Sequence, residues 1–406
     1  MKNELLAVKE KFRNLSEYSK QLNRWILKSI GVWPVSSSAT RTEKIVSQIL
    51  VVICWCFSLF TIIPNLLRII LEKENAYRKL KTLGPLSHWF VGGYNYAVLL
   101  LRKDDIRYCI KHVKTDWTII TRPENQLVML KHAKLGRYVA SLSAGFLQGG
   151  VFCYCIVAGS TKEIIEIGNE TISKHALPCP VYKIPVDTNL THTIIFIIQF
   201  LSGFVASSSA TAAFSLAITF SSHAVGQLNV MTVWINEFVN RPRGWNKNDC
   251  INRISVIVEH HLRILSLIAR IERTMTTTCF MEILKCMVGM CLPGYYVLVE
   301  WPNVNVQNAV VYIMILVSMI SNIFLVCYIG ETITEKCKKI GDIIYTTKWY
   351  QLPEKDILNL IMIISRSGVE VKITAGKLIN TSVYTFGNVV KTVFTYLNML
   401  RQTTIM

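Results

Sequence analysis

Long blocks of apolar residues alternate with polar, basic stretches along this 406-residue chain. A helix needs about 20 mostly apolar residues to cross a bilayer, and the blocks reach that length. A soluble protein of this size would show amphipathic periodicity instead of continuous apolar runs. We therefore predict an all-α membrane protein with seven transmembrane helices, which cover residues 45–67, 82–101, 138–157, 193–220, 274–299, 308–330 and 381–400.

The distribution of basic residues predicts how these spans are oriented. With a cytoplasmic N-terminus, the cytoplasmic segments hold 33 Lys and Arg residues and the outer segments hold 9. Such an excess marks the cytoplasmic side of a membrane protein. The sequence therefore predicts a cytoplasmic N-terminus and an extracellular C-terminus. Residues 1–44 show no cleavable signal peptide, so the first span is expected to act as the signal anchor.

The third connection, which this topology places outside, carries features of an extracellular loop. Asn169 and Asn189 each begin an Asn-x-Thr glycosylation sequon there. Cys179 lies between them in a polar stretch. A disulfide from Cys179 to one of the cysteines near the same surface and a free thiol both remain open; the three cysteines considered are Cys153, Cys155 and Cys291.

Composition and charge exclude several classes of protein. Hydrophobic residues make up 51% of the chain and charged residues 17%, which is low for a soluble domain. The net charge of +18 comes from basic residues in the connections between spans, so the membrane explains it better than a nucleic acid does. The cysteines have no metal-binding spacing, and no enzyme motif is present, so we predict no catalytic residue, metal or cofactor. A G-protein-coupled receptor would have the opposite orientation.

The last span carries a polar stripe along an otherwise apolar helix. Its members recur at spacings of three and four residues, which places them on one face. They include Thr385, Asn388, Thr392, Thr395, Met399 and Gln402, with Lys391 at the edge. Such a stripe must face protein or water rather than lipid. Packing between helices and the wall of a water-filled pore in an oligomer are both compatible with it. Met399 is the one apolar member, and an apolar ring there would gate by dewetting.

Spans two, three and four combine glycines with aromatic residues, a composition that suggests an apolar hollow as well as close helix packing. We expect that hollow to hold no Asp, Glu, Lys or Arg, and its ligand to be small, neutral and largely apolar. Glu282 and Lys285 lie three residues apart in the fifth span, and we interpret them as an internal ion pair facing other helices.

The C-terminal third resembles the insect odorant receptor family. The resemblance is carried by YIGETITEKCKKIGDIIYTTKWY at 328–350, Leu352-Pro353, VKITAGK at 371–377 and TFGNVVKTVFTYLNML at 385–400. It extends upstream to LPCPVYKIPVD at 177–187. Ile329 departs from the family pattern, which often has an aromatic residue at that position.

The resemblance implies a tetrameric, ligand-gated, nonselective cation channel that passes Na⁺, K⁺ and Ca²⁺. It implies four regions: a cytoplasmic tail at 1–44, spans with a ligand pocket at 45–330, cytoplasmic anchor helices at 331–380, and a pore helix with a short outer tail at 381–406. The fourth connection is short, which is typical of a variable, ligand-tuning subunit that assembles with a common co-receptor.

The resemblance also assigns functional residues. The apolar gate position falls on Met399 and the pore glutamine on Gln402. Ligand pockets of the family lie in the outer halves of spans two, three, four and six. By depth, this selects His88, Trp89, Gly92, Phe146, Gly149, Gly150, Tyr154, Phe196, Phe200, Gly203, Tyr312, Met314 and Ile315.

The sequence therefore predicts an odorant or pheromone receptor in the plasma membrane, expected in the dendrites of olfactory sensory neurons. Its predicted partners are a small neutral volatile or hydrocarbon, the odorant co-receptor, the lipid bilayer and the permeating ions, with no nucleic acid. A gustatory-type ligand-gated channel and, at lower rank, a transporter are the alternatives.

Overall fold

The structure is a computed structural model that describes residues 2–34, 40–73, 76–167, 170–175, 177–181, 189–240, 247–300 and 306–405. Within these ranges the chain is nearly all helical. The helices are α1 Lys2–Ser29, α2 Arg41–Leu71, α3 Ala76–Leu101, α4 Lys103–Ile119, α5 Pro123–Ser160, α6 Asn189–Val239, α7 Lys247–Glu300, α8 Val306–Thr346, α9 Glu354–Gly368 and α10 Val383–Ile405. Two antiparallel hairpins accompany them, β1 Lys162–Ile167 with β2 Glu170–His175 and β3 Thr374–Ala375 with β4 Ile379–Asn380.

Every predicted span coincides with a helix: α2, α3, α5, α6, α7, α8 and α10, in chain order. Five of these, α2, α5, α6, α7 and α8, are long and apolar enough to cross a membrane. Helices α3 and α10 fall outside that group because polar side chains such as His88 and Asn95 in α3, and the threonine stripe in α10, lower their hydropathy. The count of seven spans and the orientation of the termini stay predictions.

Several helices continue far beyond the predicted spans. Helix α6 runs on from residue 220 to Val239, and α7 begins at Lys247, well before the span predicted from residue 274. The added turns are amphipathic, and their apolar side chains are buried. They include Leu228, Met231, Ile235 and Phe238 in α6 and Ile257, Ile264, Leu267, Ile268 and Ile271 in α7. These turns therefore form a helical base next to the predicted spans, and the burial of their apolar side chains stabilises that base.

Helix α6 lies at the centre of the bundle, and small residues let α3 approach it closely. Ser207 to Ala213 are all buried. A Cβ placed on Gly92 would lie 2.5 Å from the Cβ of Ala206, so α3 touches α6 there through backbone alone. The Ser209 hydroxyl donates to the Gly92 carbonyl at 2.7 Å. Small residues at a helix crossing have this role in membrane proteins generally.

A buried carboxylate joins α4, α6 and α7 in the base. Asp116 accepts hydrogen bonds from His112 Nδ1 at 3.0 Å, His223 Nε2 at 2.9 Å and Arg263 Nη2 at 2.5 Å. Burial raises the pKa of Asp116, but the hydrogen bonds and charges of the two histidines outweigh it and hold the pKa well below its usual range. Asp116 is therefore a buried anion that binds three helices together, and removal of one partner would strand a buried charge.

Candidate ligand cavity and pore helix

A cavity lies between α3, α5, α7 and α8. The space amounts to about 1020 Å³, including its open mouth. The wall is formed by Gly84, Pro85, His88, Trp89, Leu147, Gly150, Val151, Tyr154, Lys285, Gly289, Leu292, Pro293, Tyr296, Tyr312, Ile315, Ser318, Met319 and Asn322. Most of these side chains are apolar or aromatic, so the cavity favours a largely apolar ligand.

One region of the wall is polar. Lys285 forms an ion pair with Glu282, and both residues are buried. Asn95 of α3 donates to Glu282 Oε1 at 2.7 Å, so the carboxylate is held from two helices. Ser318 and Asn322 stand one turn apart on α8 and also line the cavity. His88 adds an imidazole whose buried Nε2 has no hydrogen-bond partner among the described residues.

The other end of the cavity is aromatic. Tyr296 and Tyr312 have ring centroids 5.9 Å apart, and Trp89 lies edge-on to Tyr154 at 6.4 Å. The Tyr154 hydroxyl donates to the Pro178 carbonyl at 2.8 Å, which ties the segment 177–181 before α6 to the wall. Aromatic walls of this kind bind apolar ligands by area and shape.

The same segment is fixed to α6 through one amide. Gln199 Oε1 accepts from the Cys179 backbone N–H at 3.1 Å, and Gln199 Nε2 donates to the Cys179 carbonyl at 2.6 Å. Cys179 is fully buried beside Trp89 and Ala206, and its thiol is free. Cys153, Cys155 and Cys291 are free as well. Asn169 lies outside the described residues, and Asn189 is the first residue of α6, so both glycosylation sites stay predictions.

Six of the thirteen residues predicted to bind ligand line this cavity: His88, Trp89, Gly150, Tyr154, Tyr312 and Ile315. The other seven lie elsewhere. Gly92 packs on Ala206, Gly203 lies against Trp89 and Val151, and Phe196 covers Gly159. Phe200 pairs with Phe152 at 6.0 Å, Phe146 and Met314 are exposed on the bundle, and Gly149 is partly exposed.

The cavity differs from the predicted hollow in two ways. The wall takes residues from the fifth predicted span, α7, and none of the residues in the cavity wall given above comes from α6. The expectation that the hollow contains no charged side chain is wrong for this cavity, since Lys285 lines it. The sequence signal for Lys285 was its spacing from Glu282, which predicts the ion pair but not which face of α7 meets the cavity.

Helix α10 has an apolar face that packs within the chain and a polar face that is largely exposed. Its apolar face packs on α7 and α8: Val389 and Val393 are buried, and Phe386 meets Phe324 with ring centroids 5.4 Å apart. On the polar stripe, Asn388, Lys391, Thr395, Met399 and Gln402 are exposed, whereas Thr385 and Thr392 are half-buried. The hydroxyls of Thr392 and Thr395 donate to carbonyls of α10 itself. The stripe is therefore not the surface by which α10 packs within its own chain.

Helix α7 separates the cavity from α10. Leu292, Pro293 and Tyr296 of α7 face the cavity. The neighbouring residues Gly294 and Cys291 face α10: a Cβ on Gly294 would lie 3.0 Å from Leu397, and the Cys291 thiol lies 4.0 Å from the Val393 carbonyl oxygen. The segment 291–296 of α7 thus contacts both the candidate ligand space and α10.

Taken together, the fold and the cavity define a helical membrane protein with an internal site for a small, mainly apolar molecule. The family model described as "7tm Odorant receptor" matches residues 78–394, and the chain belongs to that family. Its members are receptors and not enzymes, and the gustatory-type and transporter alternatives give way to this assignment.

Individual relatives agree with the family. The chain is similar to odorant receptor 13a from Drosophila melanogaster, with 21% identity over 92% of this chain and 93% of that protein. The match to Drosophila melanogaster putative odorant receptor 19b is 23% identical and covers 36% of this chain. It spans 37% of that relative, so the chain matches little more than a third of its length.

Solved structures with the same fold include the insect olfactory receptor OR5 from Machilis hrabei. It superposes with a TM-score of 0.82 at 12% identity, over 97% of this chain and 99% of that one. The same receptor in complex with eugenol superposes with a TM-score of 0.79. At this level of identity the likeness concerns the fold.

Proposed function

We propose that this chain is the odorant-binding, tuning subunit of a tetrameric ligand-gated cation channel that it forms with the common odorant co-receptor. In this proposal the chain spans the membrane seven times with its N-terminus in the cytoplasm. The family supplies the expectation of a tetramer and a co-receptor. The observation that carries the proposal for this chain is the two-faced character of α10.

Asn388, Lys391 and Gln402 on the exposed stripe of α10 require a polar environment at membrane depth, because lipid offers them no hydrogen-bond partner. Four copies of such a helix around a central axis would line a hydrated path with Asn388, Thr392, Thr395 and Gln402, and would place Met399 as an apolar constriction. The buried face of α10 rests on α7, which also borders the cavity. A ligand that binds more tightly when α10 has moved outward toward α7 would therefore shift the channel to the open state.

Expression in frog oocytes tests this function directly. The chain is expressed with and without an insect odorant co-receptor, and current is recorded during a panel of neutral volatiles. Ligand-evoked, nonselective cation current that requires both chains supports the proposal, and current from this chain alone would show that it is self-sufficient. Silence in both conditions across the panel, with both chains shown at the cell surface, would count against the proposed function.

A further inference from the structure

We propose that the ligand of the cavity is an elongated molecule with a neutral hydroxyl or carbonyl oxygen at one end, and that Lys285 and His88 recognise this oxygen. The inference rests on the proposed function, since it names the chemical class that the cavity binds. It replaces a pure hydrocarbon with an alcohol, aldehyde, ketone or ester as the expected ligand.

The first argument is the unused hydrogen-bonding capacity of the polar wall. The Lys285 ammonium carries three N–H donors, and Glu282 is its one ion-pair partner in the described part of the chain. His88 Nε2 is buried without a partner in the same part of the chain. Both side chains line the same cavity. A buried polar group without a partner is costly, so an apolar ligand that displaces water from this wall would bind less tightly than one that supplies a hydrogen bond.

The charge of the ligand follows from Glu282. The carboxylate already neutralises Lys285, and Asn95 donates to Glu282 Oε1 at 2.7 Å. A carboxylate ligand would bring an unmatched negative charge into an apolar enclosure, which is strongly unfavourable. A neutral oxygen accepts from the ammonium without that cost. A hydroxyl can in addition donate to His88 Nε2, or accept from it, according to the imidazole tautomer.

The shape of the ligand follows from the positions of the two ends. Lys285 and Tyr296 both line the cavity, and they lie 11 residues apart on the continuous helix α7. At 1.5 Å per residue, the polar region and the aromatic end are separated by about 16 Å along the helix axis. Asn322 and Tyr312 repeat this order on α8, which runs in the opposite direction. An oxygen at one end of an extended apolar chain therefore fits the wall better than a compact polar molecule.

Three probes of equal chain length test the inference: decane, 2-decanone and 1-decanol. Dose–response currents are recorded from the complete channel with its co-receptor, and binding is measured separately as the ligand-induced shift in thermal unfolding of the purified channel. We expect at least one oxygenated probe to be tighter than decane by about tenfold or more, the value of one satisfied buried hydrogen bond.

The variants are chosen so that neither Glu282 nor Lys285 remains buried as a charge without its ion-pair partner. Glu282→Gln with Lys285→Met removes both charges together and keeps an amide beside Asn95, and His88→Phe removes the imidazole and keeps an aromatic ring. Each should reduce the preference for the oxygenated probe severalfold, and the three changes combined should abolish it. Ile315→Ala, in the apolar wall, is the matched control and should weaken all three probes to a similar degree without changing their order.

The outcomes separate this inference from the proposed function. Preference for an oxygenated probe that disappears in the polar-wall variants supports the inference, whether it is read in binding or in current. Equal binding of decane, a preference that survives the combined variant, or no binding by any probe overturns it. Binding with the expected preference but without current for any ligand would instead contradict the channel function and leave the recognition chemistry in place.

Discussion

Gly294 of α7 lies directly beneath Leu397 of α10, so close that a Cβ on Gly294 would be 3.0 Å from both methyl carbons of Leu397. The adjacent residues Leu292 and Pro293 face the cavity. The two helices are therefore in van der Waals contact at the level of the cavity. Because tightly packed contacts transmit small displacements, this contact offers a route from the cavity to α10.

Gly294→Val should oppose channel opening. The added side chain would overfill the contact and hold α10 away from α7, whereas opening in our proposal brings α10 outward toward α7. We expect the ligand concentration for half-maximal current to rise about fivefold or more. Leu397→Ala in the same chain should restore it, because it frees the space that the valine takes.

Gly145→Val is the matched control for this change, since a Cβ on Gly145 meets nothing within 4 Å. An unchanged dose–response curve in Gly294→Val, or equal effects of the two valine variants, would contradict the role of the contact.

Gly150→Leu should reduce ligand potency while leaving the pore intact. Gly150 is buried and lines the cavity, yet a Cβ there would meet nothing within 4 Å, so the new side chain would extend into the ligand space. We expect a loss of potency of about tenfold or more for elongated ligands, because the leucine and the ligand compete for one volume. Ligand-independent current and surface expression, measured in the same cells, should not change, and Gly145→Leu should resemble the parent.

Met399→Ala should alter conduction for every ligand to the same degree. A smaller side chain at the proposed constriction would be wetted more easily, so ligand-independent current should rise. The ligand concentrations for half-maximal response should keep their order. The contrast is Ile315→Ala in the cavity, which should change potency but not relative ion permeability. If Met399→Ala leaves basal current and permeability as in the parent, the gate is elsewhere.

Acid should destabilise the helical base through His260. Burial lowers the pKa of His260 to about 4, below the value of about 6.5 expected in the unfolded chain. Between these pH values the unfolded state binds a proton that the folded state does not, so stability falls as the pH decreases from about 6.5 to about 4. The full difference corresponds to about 3 kcal/mol.

His260→Phe isolates this contribution, since it keeps an aromatic ring against Trp234, whose ring centroid lies 4.8 Å from that of His260. Thermal unfolding of the purified protein is followed at a series of pH values. The free energy of unfolding of His260→Phe minus that of the parent should increase as the pH falls from about 6.5 to about 4 and should then stay constant. A difference that does not change with pH would show that folding leaves the pKa of His260 at its value in water.

Hydrophobic patterning predicted where the helices lie but not how far they extend. The span predicted at 193–220 is part of a helix that ends at Val239, because amphipathic turns continue where the polar residues lower the mean hydropathy. Glu282 and Lys285 were predicted as an ion pair, and the structure has that pair. A partner three residues away on one helix can be predicted from spacing alone.

Contacts between distant segments could not be predicted in this way. Asp116 meets His223 and Arg263, which lie 107 and 147 residues further along the chain, and no local pattern specifies that meeting. The small residues of α6 illustrate the same limit. The sequence left a hollow and close helix packing both open for them, and where Ala206 meets Gly92 of α3 the structure uses them for close packing. Small residues have the same composition whether they leave a hollow or let two helices touch, and only the geometry of the helix crossing decides which of the two forms.

Within the described residues, the walls of the cavity come from α3, α5, α7 and α8, and none of them belongs to α10. In the proposed channel, ligand recognition and conduction therefore depend on two separate sets of positions. A substitution at Gly150 would change the shape of the ligand space and leave every residue proposed to line the pore as it is. Ligand specificity could then diverge between related receptors in single steps while the conducting path stays the same.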